Sequence, residues 1–346
     1  MQAMTSTKIS SMTQKVDWLN LCLVIISLFC AILFPFSLFL IVYAILGPLH
    51  YLTQINWIQS HRFFMPIKSW PWLAMIVTLV VTIPFIYSRL FASTRFDIIP
   101  LKQALYSIQA YSNLGILALL FLPLTLYLAK NRIHQTLIFI SLFGASFLIY
   151  QFPLFVLIIG LLLSSVIHVY LFTFLFVVQG AWKNKSRPAL LTASAMLAAI
   201  PIVVFLPVSP ESYFIPDVFK NIYAQNKLYA INLGVSQLFG WSDGQSFSYE
   251  SMELRIQMFL SFAYCYHYLN WFSKTTVIGW NKNLNKPRTV IIGTLWAICV
   301  TIYAFDYRLG FIGTLVLSFL HVTLEFLLNI GSMRYLYTNL YKTLLK

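Results

Sequence analysis

The stretch from residue 154 to residue 181 reads LFVLIIGLLLSSVIHVYLFTFLFVVQGA and contains no Asp, Glu, Lys or Arg. A helix of about 20 apolar residues crosses the hydrocarbon core of a bilayer, so this run is long enough for a membrane span. Its histidine, His168, is costly to bury in hydrocarbon and therefore marks a candidate functional position. The stretch predicts an integral membrane protein.

The rest of the chain has the same character. Of its 346 residues, 60% are hydrophobic and only 9% are charged, which excludes an ordinary soluble domain. We predict an all-α polytopic bundle of about ten transmembrane helices. It forms one domain over residues 1–346, with a long exterior loop at about 209–253. The predicted spans are 18–34, 36–57, 70–91, 105–128, 135–150, 154–181, 190–208, 254–273, 289–306 and 310–332.

Lys and Arg residues lie at the ends of these spans, in alternate connections. The net charge of +14 is therefore a topology signal and not the mark of a nucleic-acid-binding protein. Basic connections face the cytoplasm, which places both termini inside and favours a bacterial inner membrane. The inner set comprises Lys8, Lys15, Arg62, Lys68, Lys130, Arg132, Lys183, Lys185, Arg187, Lys274, Lys282, Lys286, Arg288, Arg334, Lys342 and Lys346.

Four of the six histidines lie inside predicted spans. By this topology, their spans all run from outside to inside. At about 1.5 Å per residue, one lies roughly 10 Å and the others roughly 18–20 Å from the nearest inner basic residue. Four parallel helices can bring such side chains together, so we predict a metal site. The candidate ligands are His50, His168, His267 and His321.

Polar residues share a helix face with three of these histidines, because residues three or four positions apart are neighbours. Gln54 follows His50, Asn270 follows His267, and Glu325 follows His321, and we predict catalytic roles for these three polar residues. Imidazole together with carboxylate or amide oxygen suits iron, manganese or zinc, and we expect Fe(II). A helix-to-helix hydrogen bond is the alternative role for any single histidine.

Three short segments resemble the histidine boxes of the Brp/Blh-type membrane carotene dioxygenases. They are Gly47-Pro48-Leu49-His50, with Gln54 in the position of the family's acidic residue, Phe262-Ala263-Tyr264-Cys265-Tyr266-His267, and Leu320-His321-Val322-Thr323-Leu324-Glu325. That family consists of multi-pass proteins that bind one non-haem iron through histidines and cleave a carotenoid with dioxygen. The resemblance implies iron ligation by His50, His267 and His321.

The expected function is a metal-dependent oxygenase or oxidoreductase of the membrane. Its partners would be dioxygen, membrane lipids and a hydrophobic lipid or isoprenoid that enters sideways from the bilayer. Two other classes remain open: a proton- or ion-coupled transporter that uses the intramembrane histidines and Glu325, and a haem protein with two histidines as axial ligands. The exterior loop has amphipathic spacing and forms either a packed cap or a gate.

Overall fold

The structure is a computed structural model that describes residues 2–61, 67–91, 94, 96–241 and 247–344. Two members of the predicted inner set of basic residues, Arg62 and Lys346, lie outside these residues. Within the described ranges the chain forms helices joined by short connections and contains no strand. The prediction of an all-α fold is confirmed.

The first half of the chain is a series of long helices. They are α1 (Gln2–Leu33), α2 (Pro35–Ser60), α3 (Trp70–Phe91), α4 (Ile99–Ala110), α5 (Ser112–Leu128), α6 (Arg132–Ile149) and the single turn α7 (Pro153–Phe155). From Val156 to Phe172 the chain forms a π-helix, whose backbone hydrogen bonds join residues five apart. This π-helix occupies the first part of the apolar run that contains His168.

The second half contains eight more α-helices. They are α8 (Thr173–Asn184), α9 (Arg187–Phe205), α10 (Asp217–Gln225), α11 (Tyr229–Leu238), α12 (Ser251–Ser273), α13 (Thr275–Ile278), α14 (Lys286–Phe305) and α15 (Tyr307–Leu344). Short 3₁₀ turns lie at Pro210–Ser212 and Trp280–Asn283.

Nine helices or helix pairs among the described residues are long and apolar enough to cross a membrane. They are Met12–Leu33, Pro35–Ser60, Trp70–Phe91, Ile99–Leu128, Arg132–Ile149, Pro153–Asn184, Arg187–Phe205, Lys286–Phe305 and Tyr307–Thr343. The chain is therefore a multi-pass membrane protein, and nine of the predicted spans have a counterpart.

The predicted span at 254–273 differs from the other nine. Helix α12 has 23 residues and is long enough to cross, but its polar side chains keep it out of the apolar set. Most of these side chains are buried in protein, including Gln257, Ser261, His267 and Asn270. Helix α12 is polar because protein, and not lipid, surrounds it.

The chain packs as two units, and each unit combines segments that are distant in sequence. The first unit comprises Met1–Thr53 and Ser165–Arg308. Helix α12 is its central element and packs against α1, α9 and α11. The start of α12 is fixed by a capping box, in which the side chains of Glu250 and Glu253 each accept a backbone N–H at the helix N-terminus.

The predicted exterior loop contains α10 and α11 of the first unit, as its amphipathic spacing indicated. The loop is joined to α12 by buried hydrogen bonds. Tyr223 donates to Gln257 Oε1 at 2.7 Å, and Asn232 Nδ2 donates to the carbonyl of Glu253 at 2.8 Å. The choice between a static cap and a gate stays a prediction, and residues 242–246 of this loop lie outside the described ranges.

The second unit comprises Gln54–Ser164 and Leu309–Lys346. In it α5 packs against α3 and α6, and α3 is joined to α15 by side-chain hydrogen bonds. Trp70 Nε1 donates to the carbonyl of Leu324 at 3.3 Å, and the hydroxyls of Thr78 and Thr323 lie 3.2 Å apart. Each unit is assembled from two separate segments of the chain, so neither is a domain that is continuous in sequence. The single domain over residues 1–346 stays a prediction.

Candidate metal centre

Two histidines from different helices meet in the interior of the first unit. His50 on α2 is 1% exposed and His267 on α12 is 6% exposed. Their Nε2 atoms lie 3.1 Å apart, and their rings are tilted at 73°. Sequence analysis placed both residues at one site, and the structure brings them into direct contact.

The separation of the two nitrogens fits a shared metal ion. Two imidazole ligands with metal–nitrogen bonds of about 2.0–2.1 Å, at angles of 90–109°, have nitrogens about 2.9–3.4 Å apart. The observed 3.1 Å lies within this range. His50 and His267 are too close to be the axial pair of a haem, whose two ligands are about 4 Å apart, twice the bond length. A haem held by other histidines stays an alternative.

Thr173 orients the ring of His267. Its hydroxyl oxygen lies 2.7 Å from His267 Nδ1, on the opposite side of the ring from Nε2. If the Nδ1–H group of His267 donates a hydrogen bond to this oxygen, the lone pair of Nε2 is directed toward His50. Metal-binding histidines almost always have such a partner on the second nitrogen, which fixes the tautomer and the ring orientation.

His168 belongs to the same cluster. It lies in the π-helix, is 1% exposed, and its ring centroid is 5.0 Å from that of His267. A π-helix turns less per residue than an α-helix, so it changes the direction in which later side chains point, and π segments are frequent at functional sites. The first unit therefore brings three of the four predicted ligands together.

Large aromatic side chains enclose the histidines and exclude water. His50 contacts the rings of Tyr51, Tyr268 and Trp271, with centroid separations of 5.9, 5.2 and 5.6 Å. The two tyrosine hydroxyls are hydrogen bonded to each other at 2.9 Å, and Trp271 Nε1 donates to Thr53 at 2.9 Å. The polar atoms of this aromatic wall are thus hydrogen bonded, the two phenol groups to each other and the indole to Thr53.

Gly47, one turn before His50 on α2, makes room for this wall. A Cβ atom at this position would lie 3.1 Å from the Tyr51 hydroxyl and 3.3 Å from the Tyr268 hydroxyl. Both distances are tighter than ordinary van der Waals contact. The glycine of the first histidine box is therefore explained by the close approach of two phenol groups.

The second unit holds the predicted carboxylate and its amide partner. Gln54 Nε2 donates to Glu325 Oε2 at 2.7 Å, and both side chains are buried. His321 is also buried and lies one turn before Glu325 on α15. The structure thus joins Gln54 and Glu325, which the sequence had assigned to separate histidines.

The remaining polar candidates are peripheral. The side-chain oxygen of Asn270 is buried and accepts no hydrogen bond from a described residue, so its catalytic role stays a prediction. His134 is exposed, and partly exposed His61 is 2.9 Å from the carbonyl of Trp57, so neither belongs to the cluster.

Sequence analysis missed the contribution of Thr173. No sequence signal marked Thr173, because its contact with His267 joins residues 94 positions apart. The tyrosine pair was also missed, although Tyr51 and Tyr268 each directly follow a predicted ligand.

Comparisons with protein-family models, with curated proteins and with solved structures found no match to this chain. The likeness to the Brp/Blh-type carotene dioxygenases is therefore carried by the three histidine boxes and stays a prediction. The buried cluster of His50, His267 and His168 is the feature of this chain that points to a function.

Proposed function

We propose that this protein is a membrane-embedded, non-haem iron oxygenase that acts on a lipid or isoprenoid. The observation that carries the proposal is the pair of Nε2 atoms of His50 and His267, 3.1 Å apart in a buried site, with His168 beside them. Neutral imidazoles are good ligands for iron and leave coordination positions open. When bound, a ferrous ion supplies the electrons with which dioxygen is activated.

The protein's own residues hold and protect the site. Thr173 orients His267, and the aromatic wall of Tyr51, Tyr268 and Trp271 keeps bulk water away from the ligands. A dry enclosure limits the escape of reactive intermediates and strengthens electrostatic interactions within it. These features support oxidation chemistry on an apolar substrate.

We include His321 as a further ligand on the basis of helical periodicity. His50 lies one turn before Gln54 on α2, and His321 lies one turn before Glu325 on α15. Gln54 and Glu325 are hydrogen bonded, and sequence topology makes the two helices parallel. A buried carboxylate such as Glu325 can accept a proton from a reacting group.

We also propose that both termini are cytoplasmic and that the protein resides in a bacterial inner membrane. Termini on the same side require an even number of crossings, so α12 must cross in addition to the nine apolar helices. Its 23 residues give a length of about 34 Å, enough for a hydrocarbon core of about 30 Å. The inner basic residues support the same orientation.

Metal content gives the first prediction. Protein purified in detergent is expected to contain close to one iron per chain by elemental mass spectrometry, and His50→Ala and His267→Ala to lose it. The matched control is His134→Ala, which removes an exposed histidine and should keep the metal. His168→Ala and His321→Ala, made in parallel, establish which further histidine is a ligand.

Folded wild-type protein that contains no metal, or His50→Ala protein that keeps a full complement, would refute the metal site. Robust ion flux by such metal-free protein in proteoliposomes would instead support the transporter alternative.

Thr173 gives the second prediction. Thr173→Val removes the oxygen that faces His267 Nδ1 and should weaken iron binding about 10–100-fold in competition with a chelator, whereas Thr173→Ser should restore it. The control is Thr192→Val, which removes a buried hydroxyl of the same unit that bonds only to the carbonyl of Pro188. Equal losses in Thr173→Val and Thr192→Val would mean that Thr173 has no special role.

Topology reporters test the orientation. Alkaline phosphatase fused at either terminus should be inactive, and the same enzyme inserted after Ser209 in the exterior loop should be active. Activity at one terminus alone would show an odd number of crossings and would remove α12 from the set of spans.

A further inference from the structure

A second group of buried polar side chains lies in the second unit and is not accounted for by the ligand histidines. Gln54, Glu325 and Asn329 are 3%, 4% and 1% exposed. Asn329 lies one turn after Glu325 on α15, so the two side chains share a helix face. Gln54 is attached to this group by its 2.7 Å hydrogen bond to Glu325.

Several hydrogen-bonding atoms in this group have no partner among the described residues. They are Gln54 Oε1 and both side-chain atoms, Oδ1 and Nδ2, of Asn329. Buried polar groups are normally hydrogen bonded, because leaving one unsatisfied destabilises the fold. Such a concentration of unpaired amide atoms beside a carboxylate indicates that something outside the chain completes the bonds.

The chemistry of these atoms defines what can bind. The group offers amide and carboxylate oxygens as acceptors and the Asn329 amide nitrogen as a donor. A hydroxyl group matches this set, because its hydrogen bonds to an oxygen while its own oxygen accepts from Asn329. An anionic head group does not match, since most of the offered atoms are themselves acceptors.

We propose that Gln54, Glu325 and Asn329 bind the hydroxyl end of an isoprenoid alcohol, and that the substrate is an alcohol and not a pure hydrocarbon such as carotene. This inference rests on the proposed function, from which it takes the apolar remainder of the substrate. The two amides are buried, so a substrate that lacks the hydroxyl leaves their polar atoms unpaired. The site therefore selects the alcohol over the hydrocarbon.

The test uses farnesol and farnesene, which share a chain and differ in the terminal hydroxyl. The full-length protein in lipid nanodiscs is incubated with radiolabelled farnesol, empty nanodiscs are subtracted, and unlabelled farnesol or farnesene is added as competitor. Loss of the hydrogen bonds to two buried amides should make farnesene at least about 10-fold weaker as a competitor. Iron is measured in the same samples.

Asn329→Leu and Gln54→Met keep the side-chain size and remove the unpaired amide atoms. Gln54→Met also removes the donor to Glu325, whereas Asn329→Leu leaves that bond in place. Both should weaken farnesol binding to the level of farnesene. The control is Thr82→Val, which removes a buried hydroxyl of the same unit that bonds to the carbonyl of Thr78, and it should keep the preference for the alcohol.

The inference is overturned if wild-type protein binds the two compounds equally or binds neither, or if both amide variants retain the preference. Equal binding would mean that the amides hold only internal water. Iron-loaded protein without alcohol preference would reject this inference alone, whereas alcohol preference in protein without iron would support the hydroxyl site and reject the proposed iron oxygenase.

Discussion

The structure depends on the cost of burying hydrogen-bonding groups away from water. In the first unit this constraint is met by contacts between α2 and α12: the paired nitrogens of His50 and His267 and the paired hydroxyls of Tyr51 and Tyr268. Each of these groups would be expensive to bury alone. A helix that carries so many of them can exist only where protein surrounds it, which is why α12 is the buried centre of its unit.

This constraint also explains why the site is suited to a metal. The hydrogen bond between the two Nε2 atoms leaves the outer nitrogen of each ring in need of a partner, and the Thr173 hydroxyl supplies that partner for His267. The ring of His168, at 5.0 Å from that of His267, brings a third imidazole next to the pair. An ordered ring, a third imidazole and a dry aromatic wall are the elements of a preorganised ligand set.

The fold class and nine spans could be predicted from the sequence, because length and apolar composition suffice to identify a membrane helix. The polar α12 was predicted as a span because its run of mainly apolar residues is long enough to cross. Its central position in the unit could not be predicted, because burial by other helices leaves no pattern in a single segment. The histidines and Glu325 were found because ionisable residues are conspicuous in apolar runs. Thr173, the Gln54–Glu325 bond and the exchange of segments between the two units could not be found, because they depend on contacts between residues far apart in the chain.

X-ray absorption at the iron edge tests the central claim most directly, because it reports the atoms bound to the metal without requiring a known substrate. The account predicts at least three imidazole nitrogens at about 2.0–2.2 Å, with the outer-ring scattering that histidine ligands produce, and loss of that signal in His267→Ala. A first shell made only of oxygen atoms, or a spectrum unchanged by His267→Ala, would show that the histidine cluster does not hold the metal.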